Sequence, residues 1–353
     1  MPSPVPISHL RVILQVNWKE AGKWPFVRFL KSRVGRLRIL QPLLPQNTST
    51  RRINDISIFM SEFYMPIMAL FLRNDTDIVI SWQMRIGVFY GILNRLFQRR
   101  TRPLHIVQDF HIDMTRKDWP YRAKIAFMRL ALPGIDFFCC TSTEEETLYS
   151  RMFGIPGDRI LFLPLVSLLS HCHETVKRQS DYIFSYGNSD RDYDTLIEAV
   201  AGLNIRTVIL SQRYHPGKKL PEHVLHIRER ISEKELYQWI VSSRMVILPL
   251  IDYRISAGQL SLIQVMSSGR PVIVTRNMAT REYAVHHRTA MFYEAKNSQE
   301  LADHIRYLWH HRHISEEIGK QAKQHSSTFI DRRTALFDHL LEQCASIIQK
   351  EEY

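Results

Sequence analysis

The sequence predicts an α/β protein made of two doubly wound domains, each with a mostly parallel sheet, that face a central cleft. Short apolar runs alternate with amphipathic stretches along most of the 353 residues, which is the pattern of βαβ units. The chain is also longer than one compact core usually accommodates. Its hydrophobic content of 45% is typical of a globular protein and supplies a core for each half.

In the first half, four apolar runs are predicted to be strands and four amphipathic stretches to be helices. The strands are Leu10–Val16, Asp77–Ser81, Leu104–Gln108 and Ile135–Thr141, and the helices are Trp24–Val34, Ile86–Gln98, Ala123–Leu132 and Glu144–Phe153. Ligands of such sheets bind at the carboxyl ends of the strands, so functional side chains are expected in the loops that follow them.

The second half repeats this alternation after a polar stretch, Leu168–Arg178, that is rich in His and Ser. We expect an N-terminal domain over residues 1–168, a linker over 169–180, a C-terminal domain over 181–330 and a final helical segment over 331–353. The predicted strands are Asp181–Tyr186, Ile205–Leu210, Arg244–Leu250 and Pro271–Thr275; the predicted helices are Tyr193–Ala201, Glu233–Ser242, Gly258–Ser268, Ser298–Trp309, Glu316–His325 and Thr334–Gln349.

The positive charge of the chain is concentrated near its amino terminus. The net charge is +12, and residues 1–100 hold 15 Lys and Arg against 5 Asp and Glu. This asymmetry predicts an anionic partner for the first half, or else only a basic, soluble surface. The sequence contains no helix-turn-helix, zinc or RNA-binding signature, so we predict no nucleic-acid partner. Within Lys23–Arg38, basic and apolar residues alternate as in a helix lying on an anionic membrane, or as in a solvated basic helix face.

The cysteines and paired histidines do not predict a metal site. Cys139 and Cys140 are adjacent within an apolar run, as expected of buried thiols in a reducing compartment. His286-His287 and His310–His313 lack the acidic or cysteine neighbours that metal ions usually require.

The amino terminus has no basic region followed by an apolar core, so we predict no signal peptide. No uncharged apolar run approaches the roughly 18 residues of a spanning helix. Phe63–Leu72 ends at Arg73, and Ile160–Ser170 is short and contains Pro164. We therefore expect a cytoplasmic protein whose membrane contact is peripheral, on the inner face of the cell membrane.

A strand-to-helix turn at Gly187 is the first candidate for anion binding, with Asn188, Ser189 and Arg191 following it. The glycine lets the backbone approach a ligand closely, and the helix amino terminus offers unpaired N–H groups. Arg191 adds a planar, permanently charged group for phosphate oxygens. Without further evidence, these residues fit an ordinary strand-to-helix turn with a surface arginine equally well.

A second turn of the same kind lies between Ser256 and the helix that begins near Gly258. Ser256, Gly258 and Gln259 present donors where a diphosphate would rest, and Gln264 lies one turn further along the helix. Two loop-to-helix anion sites in one domain suit the two phosphoryl groups of a diphosphate. Arg230 is added as a further donor-binding candidate.

Polar residues after two strands of the first half are candidates for the acceptor side. Asp109, His111 and Asp113 follow Leu104–Gln108. His111 is the favoured base or sugar contact, because imidazole titrates near neutral pH; a turn with capping aspartates and a surface histidine is equally compatible. The first strand is followed by Trp18, Lys19 and Gly22, where an aromatic ring would stack on a sugar or pack in the loop.

Two segments of the second half resemble family 4 retaining glycosyltransferases, which have the GT-B fold of two Rossmann-like domains. Gly187–Ala199 resembles the family's G-R-x…K-G…L-x-x-A turn, with Arg191 at the position of the diphosphate-binding lysine. Ser256–Val274 resembles the signature E-x-x-G-x-x-x-x-E-A-M-A-x-G-x-P-V-I, and Glu282-Tyr283 resembles the following E-x-V-x-D-G stretch. The matching signature residues are Met266, Gly269, Pro271, Val272 and Ile273, and Gly258 lies one residue before the position of the signature's first glycine.

The resemblance implies transfer of a hexosyl group from a nucleoside diphosphate sugar to a glycan or lipid-linked saccharide, as in bacterial surface-polysaccharide synthesis. It further implies retention of configuration, no metal at the diphosphate and no additional cofactor. The closing helix Thr334–Gln349 resembles the one that returns towards the N-terminal domain in GT-B enzymes.

The two glutamates of the signature are replaced here by Ser256 and Gln264. The second glutamate of the family contacts the ribose, and a glutamine can still hydrogen-bond a diol. The first lies near the transferred sugar, where a serine carries no charge. An alternative interpretation is therefore a catalytically inactive donor-binding or scaffold partner of another glycosyltransferase. An epimerase of the same fold would need paired acidic groups at the sugar, which the sequence does not place.

Overall fold

The computed structural model describes residues 6–18, 21–43, 51–97, 103–112, 118–166, 181–251 and 256–351. The chain divides into two compact units. Of the described residues, the first unit contains those up to Leu163 and those from Thr334 onward, and the second contains those of Pro164–Arg333. Each unit is built on one six-stranded sheet with all strands parallel and with helices between them, so the predicted fold class is confirmed.

The sheet of the first unit has the strand order β2-β1-β3-β4-β5-β6. Its strands are β1 (Arg11–Gln15), β2 (Arg36–Leu40), β3 (Ile78–Gln83), β4 (Leu104–Asp109), β5 (Phe137–Cys140) and β6 (Ile160–Phe162). The connecting helices are α1 (Pro25–Arg33), α2 (Arg51–Phe71), α3 (Met84–Leu96), α4 (Trp119–Ala131) and α5 (Thr143–Phe153). The chain passes from β1 to β2 at one edge of the sheet and then returns to β3 on the other side of β1. Because each crossover is right-handed, this reversal places α1 on one face and α2, α3 and α4 on the other.

The core of the first unit includes the end of the chain. Phe337, Leu340 and Leu341 are buried against the face of the sheet that α1 covers, and Phe26 of α1 packs edge-on against the Phe337 ring at 4.9 Å. Burying a side chain of this size contributes about 1.5–3 kcal/mol. The closing segment therefore belongs to the core of the first unit.

The structure corrects the interpretation of Lys23–Arg38 as a membrane-surface helix. Only Pro25–Arg33 is helical, and the segment continues into strand β2. Phe26 and Leu30 are buried, and Phe29 packs against the same core. The apolar side of the segment is thus occupied by the protein's own interior, and only its basic side is exposed.

The sheet of the second unit has the order β12-β11-β10-β7-β8-β9. Its strands are β7 (Ile183–Tyr186), β8 (Thr207–Leu210), β9 (Val224–Ile227), β10 (Met245–Leu248), β11 (Val272–Thr275) and β12 (Met291–Tyr293). The helices are α6 (Tyr193–Ala201), α7 (Glu233–Ser242), α8 (Gln259–Ser268), α9 (Thr280–Tyr283), α10 (Ser298–His310) and α11 (Arg312–Glu351). The two predicted last helices are one continuous helix, α11, whose final part lies in the first unit.

One helix and four strands were not predicted as they occur. Helix α2 extends over Arg51–Phe71, where the sequence had indicated only an interrupted apolar run, and the short strands β2, β6, β9 and β12 were missed. No helix among the described residues is long and apolar enough to cross a membrane.

Candidate functional site

The turn between β7 and α6 is shaped around Gly187. This glycine has a φ of 127°, in the region that favours glycine, and a methyl group there would lie 2.7 Å from Nε of Arg191. The following Asp192 caps α6 by accepting a hydrogen bond from the Thr195 amide at 3.2 Å. The predicted glycine turn and helix amino terminus are therefore both present.

The guanidinium of Arg191 is fixed over this turn by three hydrogen bonds. Nε donates to the Tyr186 carbonyl at 3.0 Å, and Nη1 donates to the Ser189 carbonyl at 2.8 Å. Nη2 donates to Oγ of Ser261 at 2.9 Å. Burial lowers the pKa of Arg191 from its ordinary value, but an arginine so far from neutrality stays charged. The result is a positioned, partly buried cation beside a helix amino terminus.

The second predicted turn leads into α8. Gly258 is the residue before the helix, and its φ of 86° requires a left-handed conformation. A side chain there would also collide with Leu250, whose Cδ1 lies 2.7 Å from the position of the added carbon. Ser256 and Gln259 are buried next to this turn, and Nε2 of Gln259 donates to Oγ of Ser256 at 2.6 Å.

Contacts between β7 and α8 join the two turns into one site. Ser261, which accepts from Arg191, lies in the first turn of α8. The Tyr186 hydroxyl donates to Oε1 of Gln264 at 2.9 Å and lies 3.1 Å from the Ser261 carbonyl. Burial raises the pKa of Tyr186 well above its usual range, so the hydroxyl remains a donor. Arg191, Gln264 and the amino terminus of α8 are thus held in one hydrogen-bonded cluster, named here the Arg191 cluster.

Sequence reasoning missed several residues of this cluster. Tyr186 and Ser261 are ordinary strand and helix residues, and only the hydrogen bond from the Tyr186 hydroxyl to the Ser261 carbonyl shows that they meet. Asn277, in the loop after β11, donates through Nδ2 to the Ala257 carbonyl at 3.1 Å and so supports the loop before α8. Its Oδ1 accepts from the Thr280 amide at 2.7 Å. Its position shortly after a strand was the feature of the sequence that could have indicated Asn277.

The remaining donor-side candidates are placed differently. Asn188 accepts through Oδ1 from the Gln212 amide at 2.8 Å, which ties the β7 turn to the loop after β8. Ser189 contributes its carbonyl to Arg191. Arg230 is exposed in the loop after β9, at the edge of the sheet, and no hydrogen bond or ion pair among the described residues links it to the Arg191 cluster.

In the first unit, His111 is paired with a carboxylate that sequence reasoning missed. Nδ1 of His111 lies 3.0 Å from Oε1 of Glu145, whose side chain is almost fully buried. Glu145 also accepts from the Tyr149 hydroxyl at 2.9 Å and from the Thr141 hydroxyl at 2.9 Å. The side chain of His111 keeps 38% of its surface exposed.

The pair has a defined electrostatic character. Burial lowers the pKa of His111, but the hydrogen bond and charge of Glu145 outweigh this and leave it above its ordinary value. Burial likewise acts to raise the pKa of Glu145, but its hydrogen bonds to His111, Tyr149 and Thr141 lower it overall. The carboxylate therefore orients the imidazole and favours its protonated form, an arrangement suited to a general base or to a polar substrate contact.

The other acceptor-side candidates of the first unit have mixed surroundings. Asp109 is exposed at the end of β4, close enough to raise the pKa of His111. The Trp18 ring packs on Trp24 at 4.9 Å and on Trp82 at 5.8 Å, in agreement with the loop-packing interpretation. Gly22 is exposed in a short turn. Lys19 and Asp113 lie outside the described residues.

Histidine, cysteine and acidic side chains do not form a cluster suited to a metal ion within the described part of the chain. His286 packs against His287 with ring centroids 3.8 Å apart, and its Nδ1 accepts from the Phe292 amide at 2.9 Å. Burial and the neighbouring positive groups lower the pKa of His286 to about 4. This histidine thus stays neutral and organises the β12 region.

A protein-family model matches most of the second unit. Residues 185–311 match the family described as glycosyl transferases group 1. The matched region contains both turns of the Arg191 cluster. This part of the chain is therefore similar to group 1 glycosyltransferases. The match confirms the resemblance inferred from Gly187–Ala199 and Ser256–Val274. No curated protein matches the chain significantly.

Solved structures share the fold of the whole chain. Sucrose-phosphate synthase from Thermosynechococcus elongatus has a TM-score of 0.68 at 13% identity, with 95% of this chain and 99% of that chain covered. HepE from Anabaena, in complex with UDP-glucose, has a TM-score of 0.62 at 12% identity, with 94% and 99% covered. WaaG, a glycosyltransferase involved in lipopolysaccharide biosynthesis, has a TM-score of 0.57 at 12% identity, with 96% and 99% covered. The two-domain GT-B fold is therefore that of this chain.

Proposed function

We propose that this protein transfers a hexosyl group from a nucleoside diphosphate sugar to a glycan or lipid-linked saccharide, in bacterial surface-polysaccharide synthesis. The observation that carries the proposal is the Arg191 cluster, in which a partly buried, hydrogen-bonded guanidinium lies beside two loop-to-helix turns. Such an arrangement stabilises the negative charge that builds on a departing diphosphate.

In the proposed reaction, the bond between the sugar C1 and the diphosphate oxygen breaks, and the acceptor oxygen bonds to C1. The transition state has oxocarbenium character. Arg191 and the amino termini of α6 and α8 stabilise the leaving diphosphate. His111, in its neutral form, takes the proton of the acceptor hydroxyl, and Glu145 stabilises the resulting imidazolium. Retention of configuration, independence of metal ions and the absence of another cofactor are parts of this proposal.

The donor is tested first by binding. Thermal shift with UDP, GDP and their sugars is measured in the presence of EDTA, starting with UDP because HepE is complexed with UDP-glucose. A ligand at a hundredfold its Kd adds about 2.7 kcal/mol to the free energy of unfolding, which raises the melting temperature by several degrees. A shift with one diphosphate series supports the donor site; no shift with any nucleotide contradicts it.

A specific observation also favours the inactive, donor-binding alternative. The two positions that hold glutamates in the resembled signature carry neutral side chains that are already hydrogen-bonded internally, Ser256 to Gln259 and Gln264 to Tyr186. Slow hydrolysis of the bound donor, followed by chromatography of the nucleoside diphosphate and free sugar that it releases, separates the two functions. Hydrolysis supports the transferase, whereas donor binding without any hydrolysis or transfer supports the scaffold.

A further inference from the structure

Helix α2 exposes a large apolar surface. Six of its large apolar residues face solvent, although Met65 and Ala69 are fully buried; the six are Ile56, Phe59, Met60, Phe63, Ile67 and Phe71, with Phe59 57% and Phe71 75% exposed. Its buried side includes Ser57 at 2% and Ser61 at 3% exposure. An ordinary amphipathic helix buries its apolar side and exposes its hydroxyls. The exposed side of α2 is therefore suited to a covering partner.

The apolar surface continues onto the two neighbouring helices. The Phe63 ring lies 5.2 Å from that of Phe89 on α3, and Nη1 of Arg95 on α3 donates to the Leu130 carbonyl on α4 at 3.2 Å. Leu130 is itself exposed, as are Leu96 at the end of α3 and Phe127 and Trp119 on α4. The outward surface of these three helices is called here the α2–α4 face.

The charge of the α2–α4 face selects the partner. The described charged side chains of the three helices are five Lys and Arg, at positions 85, 95, 122, 124 and 129, and one acidic residue, Glu62. Arg122 and Arg129 are exposed beside the apolar residues of α4. Two copies of this surface would bring like charges together, which opposes self-association. An anionic bilayer offers both an apolar interior and negative headgroups.

We propose that the α2–α4 face docks this protein on an anionic phospholipid bilayer. Phenylalanines and tryptophan enter the boundary between headgroups and acyl chains, while the arginines bind lipid phosphates. This assignment differs from the one that the sequence suggested, because the apolar side of the Lys23–Arg38 segment is buried in the core. It adds to the proposed function the surface that would bring the enzyme to a lipid-linked acceptor.

The test is vesicle flotation with the full chain, on phosphatidylcholine vesicles with and without about one-third phosphatidylglycerol. The wild type is expected to float with the anionic vesicles and weakly with the neutral ones. F59Q/F63Q removes two half-exposed rings. Each ring would gain on entering the bilayer only part of the free energy of burying a whole phenylalanine side chain, so the partition coefficient should fall on the order of 30-fold. R122Q/R129Q should lower the partition coefficient about 30-fold on anionic vesicles only, because each charge removed lowers it about fivefold.

The matched control is L225Q/Y307Q, which removes two similarly exposed apolar residues from the second unit, where 46% of Leu225 and 41% of Tyr307 are exposed. It should float like the wild type. Equal flotation of F59Q/F63Q and the wild type overturns the proposal. So does a wild type that ignores vesicles but forms a dimer by light scattering that F59Q/F63Q abolishes. Nucleotide binding is measured on the same samples, so loss of the donor site and loss of membrane docking are scored independently.

Discussion

Replacing Arg191 gives the sharpest test of the candidate donor site. A guanidinium has five N–H donors, and three hydrogen bonds of Arg191 are made to Tyr186, Ser189 and Ser261. At most two donors therefore remain for a phosphate. At about 1.5–3 kcal/mol for each hydrogen bond to a charged group, Arg191→Ala should cost about 3 kcal/mol of diphosphate binding, or roughly 100-fold in Kd.

The same structure predicts what Arg191→Lys does. A lysine keeps the positive charge but cannot reproduce the planar set of contacts, so the loss should be smaller, about tenfold. Kd is measured by isothermal titration calorimetry well below the melting temperature, because losing the contacts of Arg191 within the turn should also lower that temperature by a few degrees. The control is Arg306→Ala on α10, which removes an exposed arginine paired with Asp303. A folded Arg191→Ala variant that binds the diphosphate within threefold of the wild type would refute the assignment.

Three further predictions concern the pH profile, backbone strain and the ribose contact. Glu145→Gln should lower the raised pKa of His111, so the rising limb of the pH–rate profile and the NMR titration of the imidazole should both move to lower pH, by about one unit; an unmoved titration would remove Glu145 from this role. Gly258→Ala should lower the free energy of unfolding by about 2–4 kcal/mol in urea titrations, through its positive φ and the steric collision, whereas Gly217→Ala, which meets nothing within 4 Å, should be neutral. Gln264→Glu should tighten nucleoside diphosphate binding about fivefold and leave pyrophosphate binding unchanged; equal changes for both ligands would argue against a ribose contact.

The pair of Glu145 and His111 also predicts how the stability of the protein changes with pH. The pKa of Glu145 is lowered and that of His111 is raised in the folded protein. The contribution of the pair is therefore fully present between the two unfolded values. It is lost as pH falls through the lowered pKa of Glu145, and it is also lost as pH rises through the raised pKa of His111.

The features predicted correctly from the sequence are those set by local chemistry. Glycines at 187 and 258 and the polar residues after them indicated turns before helices, and the backbone has positive φ at both glycines. Buried parallel strands appear as continuous apolar runs, so β7, β10 and β11 were predicted within one to two residues of their bounds. Short edge strands such as β9 lack such a run and were missed.

The features that were missed depend on contacts distant in sequence or on a surface that violates the usual pattern. Glu145 lies 34 residues from His111, and Ser261 lies 70 residues from Arg191. No local spacing indicates either contact. Helix α2 was missed because hydrophobic periodicity assumes that apolar residues are buried, whereas α2 buries Ser57 and exposes Phe59.

Ser256 and Gln264, at the positions where the resembled signature has glutamates, should affect the two halves of a donor unequally. Gln264 retains an oxygen that accepts from Tyr186, and this contact holds the cluster together without a negative charge. Arg191 does not depend on either glutamate, since two of its three protein contacts are backbone carbonyls. Diphosphate binding should therefore survive the replacements. Sugar hydroxyls form weaker hydrogen bonds with a neutral serine than with a carboxylate. We therefore expect the serine to weaken the binding of the transferred sugar.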